Sequence, residues 1–144
     1  MLTRHSIIIV GPTGGGKSVI IDTLIKTRTA MGFLSRVYTL NPKAVSVTEL
    51  YGIFNPVTQD WSDGLLANIF RSVNKPIPSN KNERAYILFD GDVDEMWIEN
   101  MNSVMDDNRV LTLGNGERIR LQSHCQLLFE VTLGIRLVIQ SWAV

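Results

Sequence analysis

Cysteine occurs once in the 144 residues, at Cys125, and histidine twice, at His5 and His124. A single cysteine excludes an intramolecular disulfide framework and fits a reducing compartment. The histidines stand far apart, with no Cys, Asp or Glu at ligand spacing, so the pattern of a structural zinc site is absent. Charge of one sign is missing too, since 14 Lys and Arg balance 14 Asp and Glu. No global field draws the chain to DNA, RNA or an anionic membrane, and neither nucleic acid nor membrane is an expected partner. A neutral chain can still hold a phosphate, but only locally. No apolar run approaches the ~20 residues that span a bilayer. The opening MLTRHS lacks the apolar core of a secretory signal, so the expected compartment is the cytoplasm.

The residues present have ordinary globular composition, 44% hydrophobic and 19% charged, in a length of about one domain. SIIIVG (6–11) reads as a strand buried on both faces. KSVIIDTLIKTRTA repeats apolar residues at helical spacing, with Val19, Ile20, Ile21, Leu24 and Ile25 expected to lie on the sheet. RVYTL (36–40) alternates as a second strand, which Asn41-Pro42 ends. SVTEL carries a capping box, Ser46 with Glu49, and Val45 and Leu50 stand at the positions of a hydrophobic staple. NPVTQDW reads as polar connection. Ser62 or Asp63 is expected to open a helix with Leu65, Leu66, Ile69, Phe70 and Val73 on one face.

NKPIPSNKNER (74–84) reads as a surface loop. A third strand is expected over 86–89, then a helix capped by Asp94 that turns Trp97, Ile98, Met101, Val104 and Met105 inward. RVLTLGNGERIRL reads as a hairpin turning at Gly114-Asn115-Gly116. QLLFEV (126–131) is a fourth buried strand. Strands alternating with helices predict an α/β fold, a parallel sheet wrapped by helices. Trp61 and Cys125 are expected in the core; Glu99, Asp106 and Asp107 are expected on a solvated face.

GPTGGGKS is Gly11, Pro12, Thr13, Gly14, Gly15, Gly16, Lys17 and Ser18, a full match to G-x-x-x-x-G-K-[ST] between a strand and a helix. Glycines let the backbone curl until several N–H groups face one anion, and the following helix adds the positive end of its dipole. Lys17 is then expected to reach the β- and γ-phosphates and the Ser18 hydroxyl to ligate Mg²⁺. The expected cofactors are ATP or ADP with Mg²⁺. Asp90, closing the run YILFD, is the candidate acid on the metal side. The next residue is Gly91. It has no side chain to hold a water or accept a proton, so binding without efficient turnover is the expectation. Asp92 and Glu95 are the weak candidates for a substitute base, which would make the site a working ATPase instead. Asp94 and Glu95 fit better at the start of a helix, where carboxylates favour the positive dipole end.

LNPKAVSVTELYG, WSDGLL, ILFDGDVDEMWIENMNSVMDDN and LTLGNGERIRL together resemble the second AAA+ module of dynein heavy chains, most closely the axonemal ones. The likeness runs over residues 4–131. It implies a P-loop NTPase of the AAA+ type with a β-hairpin insert before the fourth strand. In such proteins the residue at position 91 is a glutamate that orients the attacking water. The family implies a ring of six linked modules moving along microtubules, in which the second binds ATP and keeps it. The arginine completing each site comes from a neighbouring module. Implied partners are the neighbouring AAA+ modules of the same heavy chain, with dynein intermediate and light chains and microtubules reached through the whole motor. The implied setting is the cytoskeleton of a cilium or flagellum, the axoneme.

The resemblance divides the chain into a core, residues 1–131, and a divergent tail, residues 132–144. The fifth strand and helical lid that follow in the family are expected to be missing, and so is an upstream segment that packs on adenine. The chain is therefore expected to be a fragment or a variant product, with marginal stability as one open reading. Only TLG separates the fourth strand from Ile135, too short for a parallel crossover. The tail either returns as an antiparallel strand or frays; both stay open.

Overall fold

The β-branched and aromatic runs form one parallel sheet, and the computed structural model describes residues 5–76, 83–92 and 95–132. Its strands are β1 (Ser6–Val10), β2 (Ser35–Leu40), β5 (Arg84–Asp90) and β8 (Cys125–Val131), in the order β1-β8-β5-β2. Every pairing in this sheet is parallel. The expected α/β architecture is therefore present. The tail beyond Thr132, Asp94 and the centre of the loop at 77–82 lie outside the described residues.

The period of two divides the sheet into two faces. Ala85, Ile87 and Phe89 of β5 and Cys125, Leu127 and Phe129 of β8 belong to the larger core. Phe89, Trp97 and Phe129 form a cluster of near-parallel rings, with the Phe89 centroid 5.5 Å from Trp97 and 4.7 Å from Phe129, and Trp97 6.4 Å from Phe129. Burying each such ring contributes about 1.5–3 kcal/mol. On the opposite face Tyr86 and Leu128 pack with Ile21 of the long helix α1 (Lys17–Ala30). That face is thinner than expected. Ile21 is buried and Ile25 partly so, but Val19, Ile20 and Leu24 are exposed, because five apolar residues so closely spaced cannot all share one helical stripe. Strand β1 also departs from the expectation of burial on both faces. Among the described residues it pairs only with β8, and Ile7 and Val10 are exposed.

The segment after β2 begins with a 3₁₀ turn, Pro42–Ala44, capped by Asn41, whose Oδ1 accepts from the Lys43 N–H at 3.0 Å. Helix α2 (Val47–Tyr51) carries the expected capping box. Ser46 Oγ accepts from the Glu49 N–H, and Glu49 Oε2 accepts from the Ser46 N–H. Leu50 is buried, and Val45 packs on the same core. The polar connection that follows is a hairpin. Its strands are β3 (Gly52–Phe54) and β4 (Trp61–Asp63), joined through Asn55, whose Oδ1 accepts from the Val57 N–H. Ser62 and Asp63 thus belong to a strand, and helix α3 (Leu65–Val73) starts after Gly64 without a side-chain cap. Its buried face holds Leu66, Ala67, Phe70 and Val73, while Leu65 is exposed.

The helix expected after Asp94 is broken into α4 (Glu95–Ile98), a 3₁₀ turn (Glu99–Met101) and α5 (Asn102–Met105). Its inward residues are the expected ones: Trp97, Ile98, Met101 and Val104 are buried and Met105 packs partly. Strands β6 (Val110–Thr112) and β7 (Arg118–Arg120) form the expected hairpin, turned by Leu113 and Glu117 around Gly116 at φ 85. Arg71 of α3 clamps this hairpin to β4. Its guanidinium donates twice to Glu117 at 2.7 Å and also to Asp63.

Candidate functional site

In a parallel sheet flanked by helices, ligands are met at the carboxyl ends of the strands. There β1 gives way to the glycine-rich loop, and the Gly11 N–H donates to Val131 O at 3.2 Å. The Gly15 N–H then donates to Pro12 O at 3.0 Å and closes the turn. A Cβ on Gly15 would stand 3.0 Å from that same oxygen and 3.3 Å from the Pro12 ring, so the turn closes only on a bare backbone. Gly16 caps α1 at φ 80, ψ 11, and supplies no side chain; the first turn of α1 holds no acidic residue. The leading amides of a 14-residue helix therefore face outward without a side-chain acceptor. Thr13, Gly14 and Gly15 are exposed, so this end of the helix opens to solvent.

Lys17 is 8% exposed. Its ammonium donates to Gly11 O at 3.1 Å and Pro12 O at 3.0 Å, bracing the loop, and among the described residues one of its three N–H donors remains. Ser18, one residue on, is exposed. Its hydroxyl donates to both carboxylate oxygens of Glu130, at 2.9 and 3.1 Å. Pro12 and Thr13 form the outer lip of the loop.

Asp90 ends β5 at the same carboxyl end of the sheet, with β8 between it and the strand that leads into the loop. It is exposed, and its carboxylate makes no hydrogen bond or ion pair among the described residues. Its register partner on β8 is Glu130. Gly91 follows at φ 146, and its N–H donates to Glu130 O at 3.3 Å. A Cβ at Gly91 would stand 3.0 Å from Asn41 Oδ1. Both the backbone and the neighbour thus suit glycine here.

Of the two candidate bases, Asp92 has its carboxylate tied to the Thr132 N–H at 3.3 Å and to the Lys43 ammonium at 3.4 Å. The Thr132 N–H, then Lys43, holds its proton affinity below the ordinary carboxylate range. That is the wrong direction for a base working near neutrality. Glu95 opens α4, and its side chain is outside the described part.

Glu130 is the residue that reading the loop and YILFD alone misses. The signal for it lies in QLLFEV: period two places Glu130 on the face of Leu128, at the carboxyl end of the strand, where the loop begins. With it the site gathers hard oxygen donors from Ser18, Asp90 and Glu130 beside backbone N–H groups and an ammonium. That donor set fits a polyphosphate carried with Mg²⁺, an ion that prefers one or two carboxylates plus phosphate oxygens.

The remaining polar residues that the sequence singles out serve the fold. Nε2 of His5 and Nε2 of His124 meet the carbonyls of Val104 and Val73. The Cys125 thiol is fully buried, which pushes it up to about 11.

The chain matches the AAA domain (dynein-related subfamily) over residues 6–140. It is 68% identical over 131 residues to dynein axonemal heavy chain 10 of Homo sapiens, covering 91% of this chain and 3% of that protein. It is 62% identical, over the same length and shares, to the dynein-1-alpha heavy chain of the flagellar inner arm I1 complex of Chlamydomonas reinhardtii. To the cytoplasmic dynein heavy chain of Drosophila melanogaster it is 44% identical over 129 residues, 89% of this chain and 3% of that protein. The chain thus spans about 3% of the length of the relatives it matches. On a family match over most of its length and these identities, the chain belongs to the dynein-related subfamily of AAA domains.

Proposed function

We propose that this chain acts as the second AAA+ module of an axonemal dynein heavy chain, holding Mg-ATP as a structural and regulatory site rather than turning it over. Gly11 to Ser18 would wrap the polyphosphate with main-chain N–H groups, Lys17 would face the β- and γ-phosphates, and Ser18 and Asp90 would stand on the magnesium side. The metal, when bound, neutralises phosphate charge. Retention over hydrolysis is supported by one observation above all. The position after Asp90 is a glycine at φ 146, where a Cβ would stand 3.0 Å from Asn41 Oδ1, so that position offers a water no carboxylate. Asp92, tied to Thr132 and Lys43, is a poor substitute.

In this reading the chain's partners are the neighbouring AAA+ modules of the same heavy chain. Dynein intermediate and light chains and microtubules would be engaged through the whole motor, in the axoneme of a cilium or flagellum. Bound nucleotide would stabilise the fold by RT ln(1 + [L]/Kd), about 2.7 kcal/mol at a hundredfold excess over Kd. Thermal melts with Mg-ATP test this. Lys17→Ala is expected to abolish the ATP-dependent rise in Tm, and an unchanged rise in that variant would contradict the assignment of the loop.

A further inference from the structure

Glu130 lies outside the phosphate-loop pattern, yet among the described residues its carboxylate is the sole partner of the Ser18 hydroxyl. A serine hydroxyl has one proton and two lone pairs, and the destination of the proton fixes where the lone pairs point. With both Glu130 oxygens within 3.1 Å, the proton is directed at β8 and the lone pairs are turned away from it. A hydroxyl set that way is ready to ligate a cation. Asp90, the acid expected on the metal side, does not make this contact.

The second consequence is electrostatic. Asp90 and Glu130 are register partners on adjacent parallel strands, a spacing of about 4.8 Å. The period of two sets both on the face of Leu128, where α1 packs and the loop ends. Two carboxylates there oppose a polyphosphate, and a divalent cation between them and the phosphates reverses the sign. The Glu130 carbonyl also receives the Gly91 N–H, so one residue ties the loop and the end of β5 together.

We propose that Glu130 is a positioning residue of this site: it orients the Ser18 hydroxyl and, with Asp90, makes tight nucleotide binding conditional on a divalent cation. The inference rests on the phosphate-loop reading and adds to it a residue and a cation dependence.

Calorimetric titration of ATP into the 144-residue chain, once with excess Mg²⁺ and once with EDTA, tests it. Glu130→Gln removes the charge but keeps an acceptor oxygen for Ser18. It is expected to tighten Mg-free binding and to shrink the gain from Mg²⁺ by roughly tenfold, the effect of one unit charge a few Å away. Glu130→Ala, which also frees the hydroxyl, is expected to weaken binding in Mg²⁺ as well. That loss should vanish when Ser18→Ala is already present, because the two residues act as a pair. Melting without nucleotide shows that each variant is folded. A Glu130→Gln chain with the parent's full magnesium dependence overturns the inference, and so does a Glu130→Ala loss that persists beside Ser18→Ala. Lys17→Ala separates the two levels. If it binds ATP as the parent does, the loop reading itself has failed; if it does not, only the role of Glu130 is being judged.

Discussion

The Ser18 hydroxyl and the Glu130 carboxylate meet at 2.9 and 3.1 Å across 112 positions of sequence. The contact closes a small circuit at the carboxyl end of the sheet. Gly11 donates to Val131 O and Gly91 donates to Glu130 O, so the end of β8 holds both the start of the loop and the residue after Asp90. Groups far apart in the chain are thereby set around one point, and the order β1-β8-β5 of the sheet makes that possible.

Restoring a glutamate at position 91 is not expected to create an ATPase. Gly91 sits at φ 146, where an L-residue is strained by about 1–3 kcal/mol. A side chain there also meets Asn41 Oδ1. Gly91→Ala and Gly91→Glu should both lower Tm in thermal denaturation, the glutamate by at least as much. Phosphate release should stay at the parent's level. A Gly91→Glu chain that melts like the parent and hydrolyses ATP would show that the backbone adapts.

Stability should be level near neutrality and fall in acid. Among the described residues four carboxylates are held below their ordinary range: Asp63 and Glu117 by Arg71, Glu49 by the Ser46 N–H, and Asp92 by the Thr132 N–H. A depressed folded value means that the contribution is present above the unfolded value, 3.8 for Asp and 4.5 for Glu, and is lost as pH falls through the folded one. The decline should therefore begin below pH 4.5. Each group is at least partly exposed and each share small. Arg71→Ala should lower Tm at pH 7 by no more than roughly a few degrees and flatten the acid limb. Melts from pH 3 to 7, the range set by these values, check both.

Cys125 should report global opening. It is fully buried, with its thiol pushed up to about 11 from 9.0. Its contribution is whole below pH 9.0 and is lost as pH rises towards 11. At neutral pH a thiol reagent is expected to label it only as fast as the core opens, and Mg-ATP should slow the labelling. Rapid labelling of the native chain would place the thiol at the surface.

Much of this site was legible because a phosphate loop is a local pattern: a strand, glycines at fixed spacing and a helix in one continuous stretch. The four main strands followed from equally plain runs, though their order in the sheet did not. What escaped had a physical reason in each case. Strands β3 and β4 are three residues each, too short to show a period, so their hairpin read as connection. Ser62 and Asp63 resemble helix caps, but Asp63 is instead taken by Arg71 and Trp61. The apolar cluster on α1 promised a broad buried face, and the sheet accepts little beyond Ile21 and Ile25. Glu130 was hidden because a lone acid in an apolar strand acquires meaning only when the register sets it beside Asp90.

The most direct test of retention without turnover follows the nucleotide itself. The chain, in excess over ATP and with Mg²⁺, is sampled over time and the bound nucleotide identified by chromatography after denaturation. The account predicts that ATP binds and stays a triphosphate over many minutes, and that Lys17→Ala binds none. Conversion to ADP at ~1 s⁻¹, the low end of ordinary enzyme turnover, would contradict it.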